Sequence, residues 1–200
     1  GYDRKLALYS EDVIGWMRDT QPAEYAKVVA AQNGGTDAAI LDRLAKTIEE
    51  QGTIHVLRHG FKRVNARFDM CAFRPGSGRN PDALAKYGKI RCRVVRQVRY
   101  SLHSERSIDL VLFVNGIPVA TIELKTDFTQ SIEDAEDQYR FDRRAIDLKT
   151  GKPEPVLTFK RGALVHFAAS TDEVRMTTRL AGAKTAYLPF NLGNDGAAGN

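Results

Sequence analysis

Three charged residues stand in two strongly apolar segments that lie near each other in the sequence. Asp109 is within Ile108–Phe113, and Glu123 and Lys125 stand two residues apart in Val119–Lys125. Residues i and i+2 of a strand share a face, so Glu123 and Lys125 are predicted to point the same way. Because a buried charge is costly unless it is paired or holds a metal, this set requires compensating chemistry.

Two carboxylates and a lysine suit the hydrolysis of a phosphodiester bond. Mg²⁺ prefers oxygen ligands and accepts one or two carboxylates beside water and phosphate oxygens. The ion polarises the phosphate and lowers the pKa of its water. Asp109 and Glu123 are therefore candidate ligands, and Lys125 is predicted to position the water and stabilise charge, not to act as a general base. The alternative is a structural contact between Lys125 and Glu123 at a strand end.

The turn between the two segments decides whether the carboxylates can meet. If Asn115-Gly116 formed a two-residue type I′ turn, Asp109 would pair with Ile122, and Glu123 would lie on the other face of the sheet. A shared metal site therefore predicts an offset of one residue. The simplest form is a three-residue loop over 115–117 with its glycine in the left-handed region.

The surrounding pattern predicts an α/β fold. Three helices are expected in the first fifty residues, capped by Ser10, started by Pro22 and capped by Thr36, and another helix runs from Ser131 to Arg143-Arg144. The strands are predicted over 67–73, 91–100, 107–114, 118–125, 163–170 and 174–180. Residues 74–81 are predicted to form a loop, and 53–58 is too short and mixed to assign.

Composition is that of an ordinary globular domain. The 200 residues are 42% hydrophobic and 28% charged, which excludes disordered, collagenous and disulfide-rich classes. No window approaches the ~18 apolar residues of a membrane span, and no signal peptide is recognisable. Cys71 and Cys92 form neither a CxxC pair nor a disulfide framework, so buried thiols and a cytoplasmic location are expected.

Four arginines crowd one predicted strand. The net charge of +5 decides little by itself, but Arg91, Arg93, Arg96 and Arg99 fall within ten residues. A solvated strand face is one interpretation. Contact with DNA phosphates is favoured equally, because the arginines lie close in sequence to Asp109.

The histidines and one glycine-containing segment are weaker candidates. His55 and His59 are four residues apart but lack cysteine partners, so a zinc site is not expected. His166 lies in an apolar strand and is predicted to be a core histidine. Gly182–Thr185 lacks the glycines of a P-loop, so no nucleotide site is predicted.

The strand-turn-strand segment resembles a known nuclease domain. The likeness is to the PD-(D/E)xK domain at the N-terminus of the restriction (R) subunit of type I restriction-modification enzymes, and it extends from about residue 57 to 191. The segments that carry it are 96–101, 107–118, 122–125, 165–168, 176–178 and 188–191. Ile108 stands where the motif's name has proline, which costs backbone stiffness but no ligand.

This resemblance implies a restriction-endonuclease-like core, with a central mixed β-sheet flanked by helices, that cuts double-stranded DNA with Mg²⁺ or with Mn²⁺ as substitute. The implied metal ligands are Asp109, Glu123 and the backbone carbonyl of Leu124. Gln138 is added to the catalytic set because it matches the glutamine of the family's QxxxY motif, although Asp142 replaces the tyrosine and Tyr139 adjoins the glutamine.

Related nucleases often supply a further carboxylate to the metal from a preceding helix. Glu49 is the candidate for that role, and with Glu50 it ends the third predicted helix. A solvated helix end is the preferred interpretation of the two glutamates.

The resemblance also implies an organisation and partners. A helical segment over 1–52 is expected to pack on a nuclease core over 53–191, followed by a linker over 192–200 toward an absent motor domain, the part that would use ATP. Double-stranded DNA and the methylation and specificity subunits are the expected partners, and no membrane is expected. The rival hypothesis is a non-catalytic DNA-binding or subunit-docking module, because fold alone does not fix function.

Overall fold

The computed structural model describes residues 1–32, 34–125 and 131–190. The chain forms two compact units: Gly1–Arg93 with Phe113–Ile117, and Val94–Leu112 with Pro118–Asn200. The predicted boundary after residue 52 falls inside the first unit, and the predicted linker over 192–200 lies outside the described residues. No helix of the described chain is long and apolar enough to cross a membrane.

The first unit is mainly helical. Its helices are α1 Ser10–Thr20, α2 Pro22–Ala30, α3 Thr36–Gln51, α4 Thr53–His59 and α5 Pro81–Gly88, and its short strands are β1 Tyr2–Asp3, β2 Leu8–Tyr9, β3 Phe61–Arg63 and β4 Ala66–Phe68. In α3 the buried Ile40, Leu44 and Ile48 recur at four-residue spacing, which gives the helix one apolar face. This face joins a core that includes Trp16 of α1 and Phe68 of β4.

Several details of the first unit differ from the sequence predictions. Neither Ser10 nor Thr36 caps a helix, because each is the first helical residue, and the cap positions are Tyr9 and Gly35. The second predicted helix ends at Ala30, before the expected Asn33-Gly34. Pro22 does stand in the first turn of α2, as predicted. The unassigned segment after residue 52 forms α4.

The strand predicted over 67–73 ends at Phe68. Its next residue has other hydrogen-bond partners: the Asp69 amide donates to Gln21 Oε1 at 2.7 Å, and the Asp69 carbonyl accepts from Trp16 Nε1 at 2.7 Å. The main chain is thereby satisfied without a sheet partner. Helix α5 was not predicted, although Asn80 before Pro81 is a recognisable start, and the Asn80 side chain accepts from the Ala83 amide.

A six-stranded sheet contains the predicted chemistry. Its strands are β5 Cys92–Arg99, β6 Ser107–Val114, β7 Ile117–Leu124, β8 Val165–Ala169, β9 Val174–Thr177 and β10 Leu188–Pro189, in the spatial order β10-β9-β8-β7-β6-β5. β7 and β8 are parallel, whereas β8 and β9 form an antiparallel hairpin. This mixed sheet with its helices confirms the α/β class. Cys92 is exposed in β5, and Cys71 is partly buried, so the expected burial of both thiols is wrong.

The helix after Ser131 is shorter than predicted. Ser131 and Asp134 form the expected capping box, but α6 spans only Ile132–Asp137. A π-helical turn over Gln138–Asp142 follows, closed by the Arg143 amide donating to the Gln138 carbonyl at 2.7 Å. The wider turn buries Tyr139 completely.

The turn between β6 and β7 has two residues, so the predicted three-residue loop is wrong. Asn115 and Gly116 both have left-handed φ, 48° and 81°, as a type I′ turn requires. An uninterrupted hairpin of this type would direct the Val119 main chain toward β6. Instead, the Val119 carbonyl accepts from the Leu164 amide at 3.0 Å, on the β8 side. The main-chain direction along β7 is therefore shifted by one residue between Ile117 and Val119, at a different place from the loop that was predicted to provide the offset.

Gly116 is constrained by contacts as well as by its conformation. A Cβ there would lie 2.5 Å from the Tyr9 carbonyl oxygen and 2.5 Å from Val13 Cγ2. We expect Gly116→Ala to lower the free energy of unfolding by roughly 2–4 kcal/mol, from strain and overlap together. Gly35→Ala is the matched control, since φ is 66° there and nothing lies within 4 Å. Chemical denaturation of both variants measures the difference, and equal losses would contradict the packing argument.

Candidate active site

Asp109 lies on β6, with its carboxylate held from two sides. Oδ2 accepts a hydrogen bond from the Leu124 amide at 2.9 Å, and Oδ1 accepts one from Gln97 Nε2 at 2.9 Å. Gln97 is itself fixed, because its Oε1 accepts from Ser107 Oγ at 2.8 Å. These bonds join the Asp109 side chain to the end of β7, the segment predicted to share a site with it.

Glu123 lies on β7 and has no exposed surface. Its Oε1 accepts from Arg143 Nε at 2.8 Å, whereas its Oε2 is buried without a partner among the described residues. Burial raises the pKa of Glu123, Arg143 opposes this rise, and the charge of Asp109 adds to it, which brings the pKa to about 8. Glu123 is therefore largely protonated at neutral pH, and a cation bound beside Oε2 would favour its charged form.

A buried polar network adjoins Glu123 on the same strand. Thr121, two residues earlier, hydrogen-bonds through Oγ1 with Tyr139 Oη at 2.8 Å and with His166 Nδ1 at 2.7 Å. His166 is directly opposite Thr121 in the β7–β8 pairing. It is therefore a hydrogen-bonded core histidine, as the sequence predicted, and burial lowers its pKa to about 3.

The structure gives fewer side-chain contacts for Lys125, Leu124 and Gln138 than for Asp109 and Glu123. The Lys125 amide donates to the Ala169 carbonyl at 2.9 Å, so the chain continues the β7–β8 pairing, but the Lys125 side chain makes no hydrogen bond or ion pair with a described residue. Leu124 adjoins Asp109 through its amide. Gln138 begins the π-helical turn, and its Oε1 is buried without a partner in the described chain.

Glu49 and two of the four arginines lie in the first unit, apart from the unit that contains Asp109 and Glu123. Glu49 is an exposed residue of α3 in the first unit. Two of the arginines belong to that unit and are paired there: Arg93 Nε lies 2.5 Å from Asp12 Oδ2, and Arg91 Nη2 lies 2.6 Å from Asp19 Oδ2.

The other two arginines belong to the second unit. Arg99 pairs with Glu105 at 2.6 Å. Arg96 is exposed and has no polar partner among the residues that the structure describes. The crowding of four arginines in sequence therefore does not amount to four uncompensated charges.

Two site residues escaped the sequence reasoning. Arg143 was interpreted as a helix-end charge, but the π-helical turn directs it to Glu123. Gln97 has a left-handed φ of 50°, which no sequence signal indicates for glutamine. An unpaired glutamate predicted in a buried strand could have prompted a search for an arginine, although it would not have selected Arg143.

The donor set fits a hard divalent cation. Among the described residues, no group of three or more His, Cys, Asp or Glu side chains gathers that could enclose a metal. Two carboxylates suffice for Mg²⁺, because it retains several waters and takes phosphate oxygens as further ligands. The partnerless Oε2 of Glu123 is the observation that favours a cation here.

Comparison with known families decides the kinship of the chain. A family model described as the type I restriction enzyme R protein N terminus matches residues 11–185. The chain belongs to this family. No curated protein and no solved structure matches it significantly. The family match places Asp109, Glu123 and Arg143 within an R protein N-terminal domain, part of a restriction system, and accords with a nuclease.

Protonation of buried His166 provides a test of the network. An unfolded chain binds a proton at His166 below about pH 6.5, whereas the folded chain does so only near pH 3. Stability should therefore fall as the pH is lowered through this window, by about 2 kcal/mol between pH 8 and pH 5 from this group alone. We expect His166→Asn to remove that part of the pH dependence, measured by urea unfolding at several pH values. His103→Asn, at an exposed position, should leave it unchanged, and a wild-type slope in His166→Asn would refute the assignment.

Proposed function

We propose that the chain is the nuclease module of a type I restriction enzyme and hydrolyses phosphodiester bonds of double-stranded DNA with Mg²⁺. The observation that carries the proposal is the meeting of Asp109 with the end of β7, through the Leu124 amide, beside the buried and half-paired Glu123. A merely structural carboxylate pair would be expected to have both glutamate oxygens satisfied.

Asp109, Glu123 and the Leu124 carbonyl are the residues that would hold the metal. The ion would supply charge stabilisation at the phosphate and a more acidic water at neutral pH. The hydrogen bonds from Gln97 and Leu124 keep the Asp109 carboxylate in one orientation. Because they are formed within the folded chain, little reorganisation is needed when the substrate arrives.

Three further residues, Lys125, Arg143 and Gln138, have distinct proposed roles. Lys125 follows β7 directly and is assigned to orient the attacking water and stabilise the charge that develops on the phosphate. Arg143 is a positioning residue, since its Nε holds Glu123 Oε1 and leaves Oε2 for the cation. Gln138, whose Oε1 lacks a partner in the described residues, is assigned to orient the site against DNA.

Substrate and partners follow from the same proposal. The exposed Arg96 is the arginine of the predicted set best placed to meet DNA phosphates, because its charge is not paired within the described chain. The methylation and specificity subunits remain the proposed protein partners. A docking module without catalysis would need neither an ionised Glu123 nor Lys125, so substitution of these residues separates the two functions.

Substitution of the proposed catalytic residues tests cleavage directly. In a restriction complex containing the R subunit, Asp109→Asn, Glu123→Gln or Lys125→Gln should each reduce DNA cleavage at least about 100-fold, since each removes charge stabilisation at the reacting phosphate. ATP hydrolysis by the complex should persist and serves as an assembly control. Asp82→Asn, an exposed acid in the first turn of α5, should cut normally. Normal cleavage by any of the three site variants would refute its assigned role.

Metal binding can be measured apart from cleavage. We expect Mn²⁺ to bind the 200-residue chain and enhance water proton relaxation, with binding weakened at least about 10-fold in Asp109→Asn, because two carboxylates carry the site. Asp82→Asn again provides the control for loss of one acid. Equal Mn²⁺ affinity in wild type and Asp109→Asn would exclude Asp109 as a ligand.

A further inference from the structure

A cavity of about 300 Å³ opens on the first unit, beside α3, α4 and the β3–β4 hairpin. Nine residues line it, and five of them are basic or histidine. No Asp or Glu of the described chain is among the nine. The five residues, called the basic cluster below, are Arg43, His55, His59, Lys62 and Arg67.

The two arginines of the basic cluster are anchored without being neutralised. Arg43 Nε donates to the Lys62 carbonyl at 3.3 Å, and Arg67 Nη2 donates to the His59 carbonyl at 3.2 Å. Main-chain carbonyls orient a guanidinium but carry no net charge. The nearest acid paired with either side chain is Glu50, 3.9 Å from Arg43 Nη1 and 46% exposed, so its compensation is weak.

The remaining members present free polar atoms. His55 and His59 are one helical turn apart on α4, with ring centroids 4.8 Å from each other. Neither imidazole hydrogen-bonds a residue of the described chain, and the exposed Lys62 ammonium has no described partner either. The cluster therefore offers several unpaired donors around one cavity.

Gly60 fixes this arrangement. Its φ of 65° and ψ of −156° turn the chain from α4 directly into β3. A Cβ at this position would stand 1.9 Å from the Phe68 carbonyl oxygen of β4. The hairpin can thus lie against the end of α4, which brings Lys62 and Arg67 to the same cavity as His59.

Unpaired arginine, lysine and imidazole donors around a cavity of this size suit a phosphate group. Among the described residues that line the cavity, the one aromatic ring other than the histidines is Phe61, which is 4% exposed and stacked on Phe68. The cavity therefore offers no large ring on which a base could stack, which favours the backbone over the bases of a nucleic acid.

We propose that the basic cluster binds a backbone phosphate of double-stranded DNA. The inference rests on the proposed DNA substrate but not on cleavage. It assigns DNA contact to a surface of the first unit that the arginines of β5 do not include. Its role is to hold the duplex without reading its sequence, because phosphate contacts carry no sequence information directly.

DNA binding in EDTA tests this inference without cleavage. The 200-residue chain is titrated into a fluorescent duplex at several salt concentrations, and anisotropy gives the Kd. In Lys62→Gln/Arg67→Gln we expect Kd to rise about 10-fold and the slope of log Kd against log[salt] to fall by about one phosphate contact. Lys62→Glu, at an exposed position, gives a second variant that does not alter the Arg67 anchor.

The matched control removes the same charge elsewhere on the first unit. Lys5→Gln/Arg79→Gln changes two exposed residues and should shift Kd less than about 2-fold. An equal loss in this control would show diffuse attraction and overturn the inference, as would no measurable DNA binding by the wild-type chain.

Two further measurements separate the alternatives. If inorganic phosphate binds the wild type in a calorimetric titration while the cluster variants leave DNA affinity unchanged, the cavity is a free-anion site and the inference fails. Asp109→Asn should lose cleavage without any loss of DNA affinity in EDTA, because removing a carboxylate from the proposed site also removes its repulsion of the phosphates. Failure of the cluster variants would then leave the nuclease proposal intact, and failure of the cleavage test would leave the cluster result standing.

Discussion

The burial of the Glu123 carboxylate is the constraint on which the second unit depends. A fully covered carboxylate whose pKa is raised to about 8 represents several kcal/mol of unfavourable environment for its charge. The fold offsets part of this through Arg143 and leaves the rest uncompensated at Oε2. Arg143 reaches Glu123 because the chain after α6 widens into a π-helical turn, and such turns are frequent at functional sites.

The polar network around Thr121 is part of the same arrangement. Tyr139 and His166 both hydrogen-bond to the Thr121 hydroxyl, two residues before Glu123 on the same strand. The three side chains are hydrogen-bonded and add no charge beside the carboxylate. A network of this kind restricts the rotamers of its members and thereby fixes the position of the strand that bears the carboxylate. Because the pKa of His166 is low, this network stays neutral over the pH range in which Glu123 titrates.

The sequence predicted the strands better than the contacts within the site. Apolar runs located β6 to within the observed residues and β7 to within one residue, because a short apolar run bounded by turn residues is a local signal. The turn was different. Asn-Gly favours a type I′ geometry, which the structure has, and the metal site required an offset, which the structure also has at another point of the chain. The sequence therefore predicted the position of the turn and a departure from regular hairpin pairing, but the predicted three-residue loop was wrong, because the departure lies after the turn, between Ile117 and Val119.

Arg143, Gln97 and the Arg67 anchor could not be found in the same way. Each depends on a backbone departure or on a residue distant in sequence: a π-helical turn, a left-handed glutamine, and a carbonyl eight residues away. Propensity scales average over such departures, and periodicity cannot detect them. Residues that lie between regular elements, where the chain departs from its local preference, are often the ones that a site uses.

The first unit is not continuous along the chain. Its first ninety-three residues are joined by Phe113–Ile117, and Ile117 is a fully buried member of its core. During synthesis the growing polypeptide cannot complete that core until the β6–β7 turn has emerged from the ribosome. Long sequence separation between contacting residues slows the search for the native arrangement. Folding of the first unit should consequently be coupled to the synthesis of β6 and the start of β7. A nascent chain on a ribosome stalled at residue 93 would lack part of its hydrophobic core.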